Sequence, residues 1–181
     1  RHFYASPESF LTCLRMNTKQ SCEDLVQHCG TLKSLAAGSS AYRVPHRSLR
    51  SLALSLKNAG AMLASSSSLT SDTFRSEVVE LLVASLSSLL GYYTLFSRMG
   101  MPDEIAEPTL AELEMLIGGA LETCKCDEPE FLTILVDAMI TGTGDSADPG
   151  ASAWKHSRLA DISDKLRPLL ESDGMSHPWK V

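Results

Sequence analysis

His28 and Cys29 stand next to each other in the sequence, and a histidine beside a cysteine can suggest a nucleophile with its base. On a helix, however, adjacent side chains point about 100° apart, so the imidazole cannot hydrogen-bond the thiol. We expect a solvent-facing His28 beside a Cys29 that belongs to the core. The pair therefore predicts no cysteine-based catalysis.

Other residues with chemical potential also lack the context that catalysis or metal binding requires. Cys124 and Cys126 are separated by one residue, and no second Cys/His pair completes a zinc site. The sequence GTGD at 142–145 lacks the strand and helix that flank a phosphate-binding loop. Glu112 and Glu114 fall near the start of a predicted helix, where carboxylates interact favourably with the helix dipole. We therefore predict a non-catalytic protein without a cofactor or a metal site.

The five cysteines leave one pairing question open. Reduced thiols in a helical core are the simpler interpretation, because free cysteine suits protein interiors. Cys22 and Cys29 lie about 10 Å apart along a helix and cannot bridge each other. Cys13 would reach either of them if two short helices formed a hairpin, and that disulfide remains an alternative.

The segment RVPHRSLR, residues 43–50, concentrates positive charge at the start of a predicted helix. Arg43, His46, Arg47 and Arg50 have the spacing of one helix face. Cations at a helix N-terminus oppose the helix dipole at a cost of about 0.3–1 kcal/mol each. Such a cluster requires an anion, which can be the acidic part of this chain, another protein or copy, or a phosphate polymer. We predict that these four residues bind a partner.

The charge of the whole chain limits the choice of partner. Residues 1–60 contain eight Lys/Arg and three acidic residues, whereas the remainder contains eight and nineteen. The formal net charge of -6 disfavours broad nucleic-acid binding, which depends on long-range positive potential. A protein partner or self-association is therefore the expectation, while single-stranded RNA at the basic segment is not favoured.

Three functions follow from these features. The first is a protein-interaction or assembly module that uses charge-complementary surfaces. The second is a helical carrier that holds an apolar ligand between helices, suggested by the adaptable side chains of five methionines: Met62, Met99, Met101, Met115 and Met139. The third is an RNA-binding domain of the capsid or nucleoprotein type.

The elements that position these residues are predicted to be all helical. Few aromatics, abundant Leu and Ala, and the absence of alternating β-branched runs favour about seven antiparallel helices. They form a compact bundle or an irregular stack of helix pairs. Caps, proline positions and glycine stops place them at about 6–17, 21–38, 45–65, 72–99, from 108, 127–142 and 153–171.

The helix at about 72–99 carries two apolar rows, so we expect it at the centre of the fold and not across a membrane. The sequence predicts one helical domain at 1–175 and a tail at 176–181. Because the chain begins with Arg1, we interpret it as a fragment or a processed product, and a targeting signal is not observable.

Overall fold

A computed structural model describes residues 6–35, 41–65 and 71–123 of the protein. Within these ranges the chain is all helical, with no strand: α1 is Pro7–Ser34, α2 is His46–Ser65, α3 is Asp72–Arg98 and α4 is Asp103–Thr123. The predicted all-α class is confirmed there. The helices predicted at 127–142 and 153–171 and the tail at 176–181 lie outside the described residues, so the number seven stays a prediction.

The first two predicted helices are one, and the prediction of a break between residues 17 and 21 is wrong. Ser6 caps α1 as expected, since its side chain accepts a hydrogen bond from the Ser9 amide. Ser21 is not a cap. Its buried hydroxyl instead bonds Ser51 on α2, with 3.0 Å between the oxygens. No Gly or Pro interrupts this stretch, and the buried face continues through Thr18.

The starts of α2 and α3 agree with the sequence. α2 begins directly after Pro45, and α3 begins at Asp72 behind Ser71, whose side chain accepts from the Phe74 amide. After Arg98 the chain leaves the helix, and Gly100 adopts a positive φ of 60°. That conformation favours glycine, which explains why the sequence signal for this helix end is reliable.

The predicted start of the next helix at Pro108 is wrong, because α4 already begins at Asp103. The amides of Ile105 and Ala106 both donate to the carbonyl of Pro102 at 2.9 Å, which forms a helical turn before Pro108. Asp103 and Glu104 supply acidic residues to that turn. Pro108 is therefore an internal, exposed residue of α4 that removes one backbone donor.

α2 and α3 form the middle of the described structure. Each packs against the other three helices, whereas α1 and α4 make little contact with each other and so lie on opposite sides of the α2–α3 pair. The core at this junction is fully buried leucine and aromatic side chains, including Leu52, Leu56, Leu82, Leu86 and Tyr93. By length and composition α3 is also apolar enough to cross a membrane, but half of its most apolar window is buried inside the protein.

Candidate interaction surfaces

The basic segment, residues 43–50, lies where α2 begins and faces α4. His46 Nδ1 donates to one oxygen of Glu112 at 2.6 Å, and Arg50 Nε donates to the other at 2.8 Å. The Glu112 side chain is only 14% exposed. A carboxylate that accepts from an imidazole and a guanidinium in this way pairs both donors at the helix start and offsets the unfavourable charge of Arg50 there. The acidic part of the chain thus supplies an anion to half of the predicted site.

The other two predicted site residues are arranged differently. Arg43 and Arg47 are exposed, and within the described ranges neither has an ion-pair partner. Arg43 borders a small groove of about 380 Å³ between the basic segment and α4, which Ile105 and Pro108 also line. The structure therefore divides the four residues into a paired half and an unpaired half. Partner binding by the four stays a prediction.

A polar network connects α1 to the same end of α3. The Tyr42 and Tyr92 hydroxyls lie 2.7 Å apart, and Tyr42 also bonds His28 Nδ1 at 3.3 Å. Asp24 accepts from the Ser48 hydroxyl at the start of α2. Burial raises the pKa of both tyrosines, and the hydrogen bond with Tyr42 adds to the increase in the pKa of Tyr92. His28 is half-buried within this network, so the solvent-facing position predicted for it is wrong.

A larger groove of about 900 Å³ separates α1 from α3, and we call it the interhelical groove. Cys22, Leu81 and Ala84 lie along it, and Met16 and Val26 of α1 border it. Met16 is 68% exposed and Val26 is 71% exposed. Both side chains lie beside the apolar lining of the groove, whereas an exposed apolar residue that stands alone on a surface needs no explanation. The groove is open to solvent and mainly apolar.

The two walls of the interhelical groove carry opposite charges. Arg15 and Lys19 form the basic wall on α1, with Glu23 one turn beyond Lys19 on the same helix, while Glu77 and Glu80 form the acidic wall on α3. Arg15 and Glu77 approach to 3.7 Å across the groove, with side chains 55% and 38% exposed. An exposed pair of this kind contributes little to stability, about 0–1 kcal/mol.

The two helices that form the walls, α1 and α3, run in the same direction. Arg15 faces Glu77, and Cys22, one and a half to two turns later, faces Ala84 and Ser88. Position numbers therefore increase together along α1 and α3, so the helices are parallel. Lys19 and Glu80 lie at nearly the same height, about one turn beyond the Arg15–Glu77 pair.

The cysteines gave two further candidates, a disulfide and a metal site. Cys13, Cys22 and Cys29 are free. The hairpin that a Cys13 disulfide required does not exist, since α1 holds Cys13 about 13 Å from Cys22 along its axis. Burial raises the pKa of Cys29, so its thiol is less reactive than an exposed one. In the described part of the chain no group of three or more His, Cys, Asp or Glu could hold a metal ion; Cys124 and Cys126 lie outside it.

The methionines that suggested a carrier do not share one cavity. Met101 is buried, Met62 and Met99 pack partly buried against the core, and Met115 is exposed on α4. Met139 lies outside the described residues. The described methionines thus occupy separate places in the structure. Met16 is the methionine that lines the interhelical groove, where the other large exposed side chain is Val26.

Sequence reasoning missed the interhelical groove because it divided α1 at the groove's middle. A signal was present: Met16, Lys19, Glu23 and Val26 follow helical spacing straight through the supposed break. No protein family, curated protein or solved structure matches the chain.

Proposed function

We propose that the chain is a non-catalytic protein-interaction module that binds its partner along the interhelical groove. The observation that carries this proposal is the exposure of Met16 and Val26 along a groove whose two walls carry opposite charges. Apolar contact supplies affinity to such an interface, and the flanking charges select the partner and its orientation. The proposal keeps charge complementarity as the binding principle and moves its centre from the basic segment to α1 and α3.

The basic segment supports this relocation. Glu112 already pairs with His46 and Arg50, which leaves Arg43 and Arg47 as the available cations of the segment. Two separated arginines on a protein of net charge -6 provide little of the positive potential that an RNA-binding surface needs. A secondary contact with an acidic partner remains part of the proposal for these two residues.

An apolar ligand is the second candidate for the interhelical groove. Its volume of about 900 Å³ falls within the range of small-molecule sites. Such sites, however, usually bury most of the ligand, and this groove is open and bordered by five charged side chains. These features favour a protein surface over a lipid or other apolar molecule.

Site-specific photo-cross-linking tests the proposal. A photoreactive phenylalanine analogue at position 26 should form an adduct with one protein, identified by mass spectrometry, in extracts of the source organism. The same analogue at position 57, an exposed site on α2, provides the control. Met16→Asp should abolish the adduct, whereas Leu54→Asp, at another exposed apolar residue, should not.

Three outcomes contradict the proposal. Adducts with lipid would support the carrier. A cross-link to the same copy would show that the chain itself covers the groove. Equal protein adducts from positions 26 and 57 would show that the groove has no particular role.

A further inference from the structure

We infer that the partner in the interhelical groove is a second copy of this chain, related by a two-fold axis parallel to α1 and α3. This inference rests on the proposed function and identifies its partner. The symmetry of the groove carries it: one wall is basic, the other is acidic, and the two lie side by side on parallel helices.

Rotation by 180° about such an axis exchanges the two walls. The α1 helix of the second copy then lies over α3 of the first, and the reverse contact forms at the same time. All four helices run in the same direction, so heights along them are preserved. Each basic wall therefore faces an acidic wall. Glu23 lies about one turn beyond the level of Lys19 and Glu80, so it is level with neither acidic residue of α3.

The heights of the charged residues satisfy this geometry. Arg15 is level with Glu77, as their 3.7 Å contact within one copy shows. Lys19 and Glu80 both follow about one turn later. In the dimer, Arg15 and Lys19 of one copy consequently lie opposite Glu77 and Glu80 of the other, with no shift along the axis. A perpendicular two-fold axis would instead place α1 against α1 and bring the basic walls together.

The apolar residues fit the same arrangement. Met16 and Val26 border the groove nearly three turns apart, and both are exposed in a single copy. Two-fold contact would bury Met16 beside the charged contacts and Val26 about two turns beyond them. Apolar contacts next to polar and charged ones are the usual composition of a specific interface.

Charge reversal in separate copies tests the inference with the full purified chain. Sedimentation velocity should show a concentration-dependent dimer of the 19.6 kDa chain, weakened by salt because the charged walls are exposed. Lys19→Glu places two like-charge contacts in every homodimer, and so does Glu80→Lys. Each single variant should weaken dimerisation by about tenfold or more.

An equimolar mixture of the two single variants distinguishes this symmetry from other modes of association. In the mixed dimer the reversed Lys19 position faces the reversed Glu80 position, and the unchanged Glu80 faces the unchanged Lys19. Both contacts are attractive again, so the mixture should dimerise as the original chain does. The double variant Lys19→Glu/Glu80→Lys should do so by itself.

Matched controls are available on the other helices. Lys57→Glu on α2 and Glu107→Lys on α4 make the same changes in net charge at exposed positions outside the groove. Both should dimerise as the original chain does. All variants should retain the helical circular dichroism of the original and, at concentrations where the original is monomeric, its melting temperature, because the reversed side chains are exposed.

A chain that stays monomeric at every concentration would overturn the inference, as would single variants that associate normally or a mixture that fails to recover. If the chain is monomeric but position 26 still cross-links to one other protein, the homodimer is wrong and the proposed function stands. If no protein cross-links to position 26 and the chain is monomeric, both are wrong.

Discussion

The contact of α2 with α4 and the groove between α1 and α3 each join a cation on one helix to a carboxylate on another. At the first, Glu112 is largely buried and accepts from His46 and Arg50 at 2.6 and 2.8 Å. At the second, Arg15 and Glu77 are both exposed and make one contact of 3.7 Å. Burial of the acceptor makes the difference, because a desolvated carboxylate needs its donors while an exposed one can exchange them for water or a partner.

The largest effect is expected from a change in the core of α3, which supports both regions. Leu86 is fully buried on α3, and Leu86→Asp places an unpaired carboxylate between α3 and its neighbours. We expect loss of the cooperative melting transition, since the penalty of several kcal/mol approaches the total stability of about 5–15 kcal/mol. Leu54→Asp, at an exposed position on α2, should melt as the original does. An unchanged melting curve for Leu86→Asp would show that α3 is not a core helix.

High pH should separate the two regions next. Burial raises the pKa of Tyr42, Tyr92 and Tyr93 above the ordinary value of 10.0, and the hydrogen bond to Glu114 raises that of Tyr93 further. A raised folded-state pKa means that this stability is complete below pH 10 and is lost as the pH rises beyond it. A tyrosine that stays protonated in the folded protein contributes a loss that approaches about 1.4 kcal/mol per pH unit above 10.

Urea unfolding at several pH values between 8 and 11 measures this loss. Tyr93→Phe should reduce the alkaline slope, whereas the interhelical groove, whose described lining contains no tyrosine, should contribute nothing to it. Lysine deprotonation is common to both forms and cancels in the comparison. An identical slope for Tyr93→Phe and the original would contradict the assignment of this effect to the α3–α4 contact.

Removal of one carboxylate from each region compares them directly. Glu112→Ala leaves His46 and Arg50 without their acceptor at the start of α2, so we expect a loss of about 1–2 kcal/mol in unfolding free energy. Glu77→Ala should cost less than about 0.5 kcal/mol, because its ion pair is exposed. Chemical denaturation of both variants gives the two values, and equal losses would show that burial of Glu112 is not decisive.

The smallest effects distinguish the paired from the unpaired half of the basic segment. Arg50→Glu replaces a donor to Glu112 with a like charge, and we expect a loss of about 1 kcal/mol. Arg47→Glu removes an exposed cation at a helix start, which should leave stability unchanged or raise it by a few tenths of a kcal/mol. Melting temperatures of the two variants test this, and a greater loss for Arg47→Glu would reverse the division.

The sequence predicted the features of this fold that depend on neighbouring residues better than those that depend on contacts between distant elements. Ser6-Pro7, Pro45 and Asp72 mark helix starts correctly because capping and the fixed φ of proline act within one turn. Ser21 is followed by acidic residues and also satisfies the local rule for a helix start. Its hydroxyl, however, bonds Ser51 on another helix and caps nothing. Pro108 misled for the same reason, since an earlier turn was available from Pro102.

The candidate surfaces show the same limit. Arg43, His46, Arg47 and Arg50 were found as a basic cluster from spacing alone, but Glu112 lies 62–66 residues away and no spacing rule connects it to them. The opposite walls of the interhelical groove were beyond sequence reasoning, because they depend on α1 and α3 being parallel neighbours. Hydrophobic periodicity identifies which face is buried and leaves open which helix it meets.

The hydroxyl contacts between α1 and α2 have a consequence for helix register. Thr18 bonds Ser55 at 2.9 Å and Ser21 bonds Ser51 at 3.0 Å, within a seam whose other α1 residues are mainly leucine. Sliding α1 by one turn in either direction would place a leucine against one of the two α2 serines and leave a buried hydroxyl without its partner. Polar residues in a heptad seam select one register in this way. The two hydroxyl contacts therefore hold α1 at a fixed axial position. They also fix the level at which its exposed residues lie beside α3.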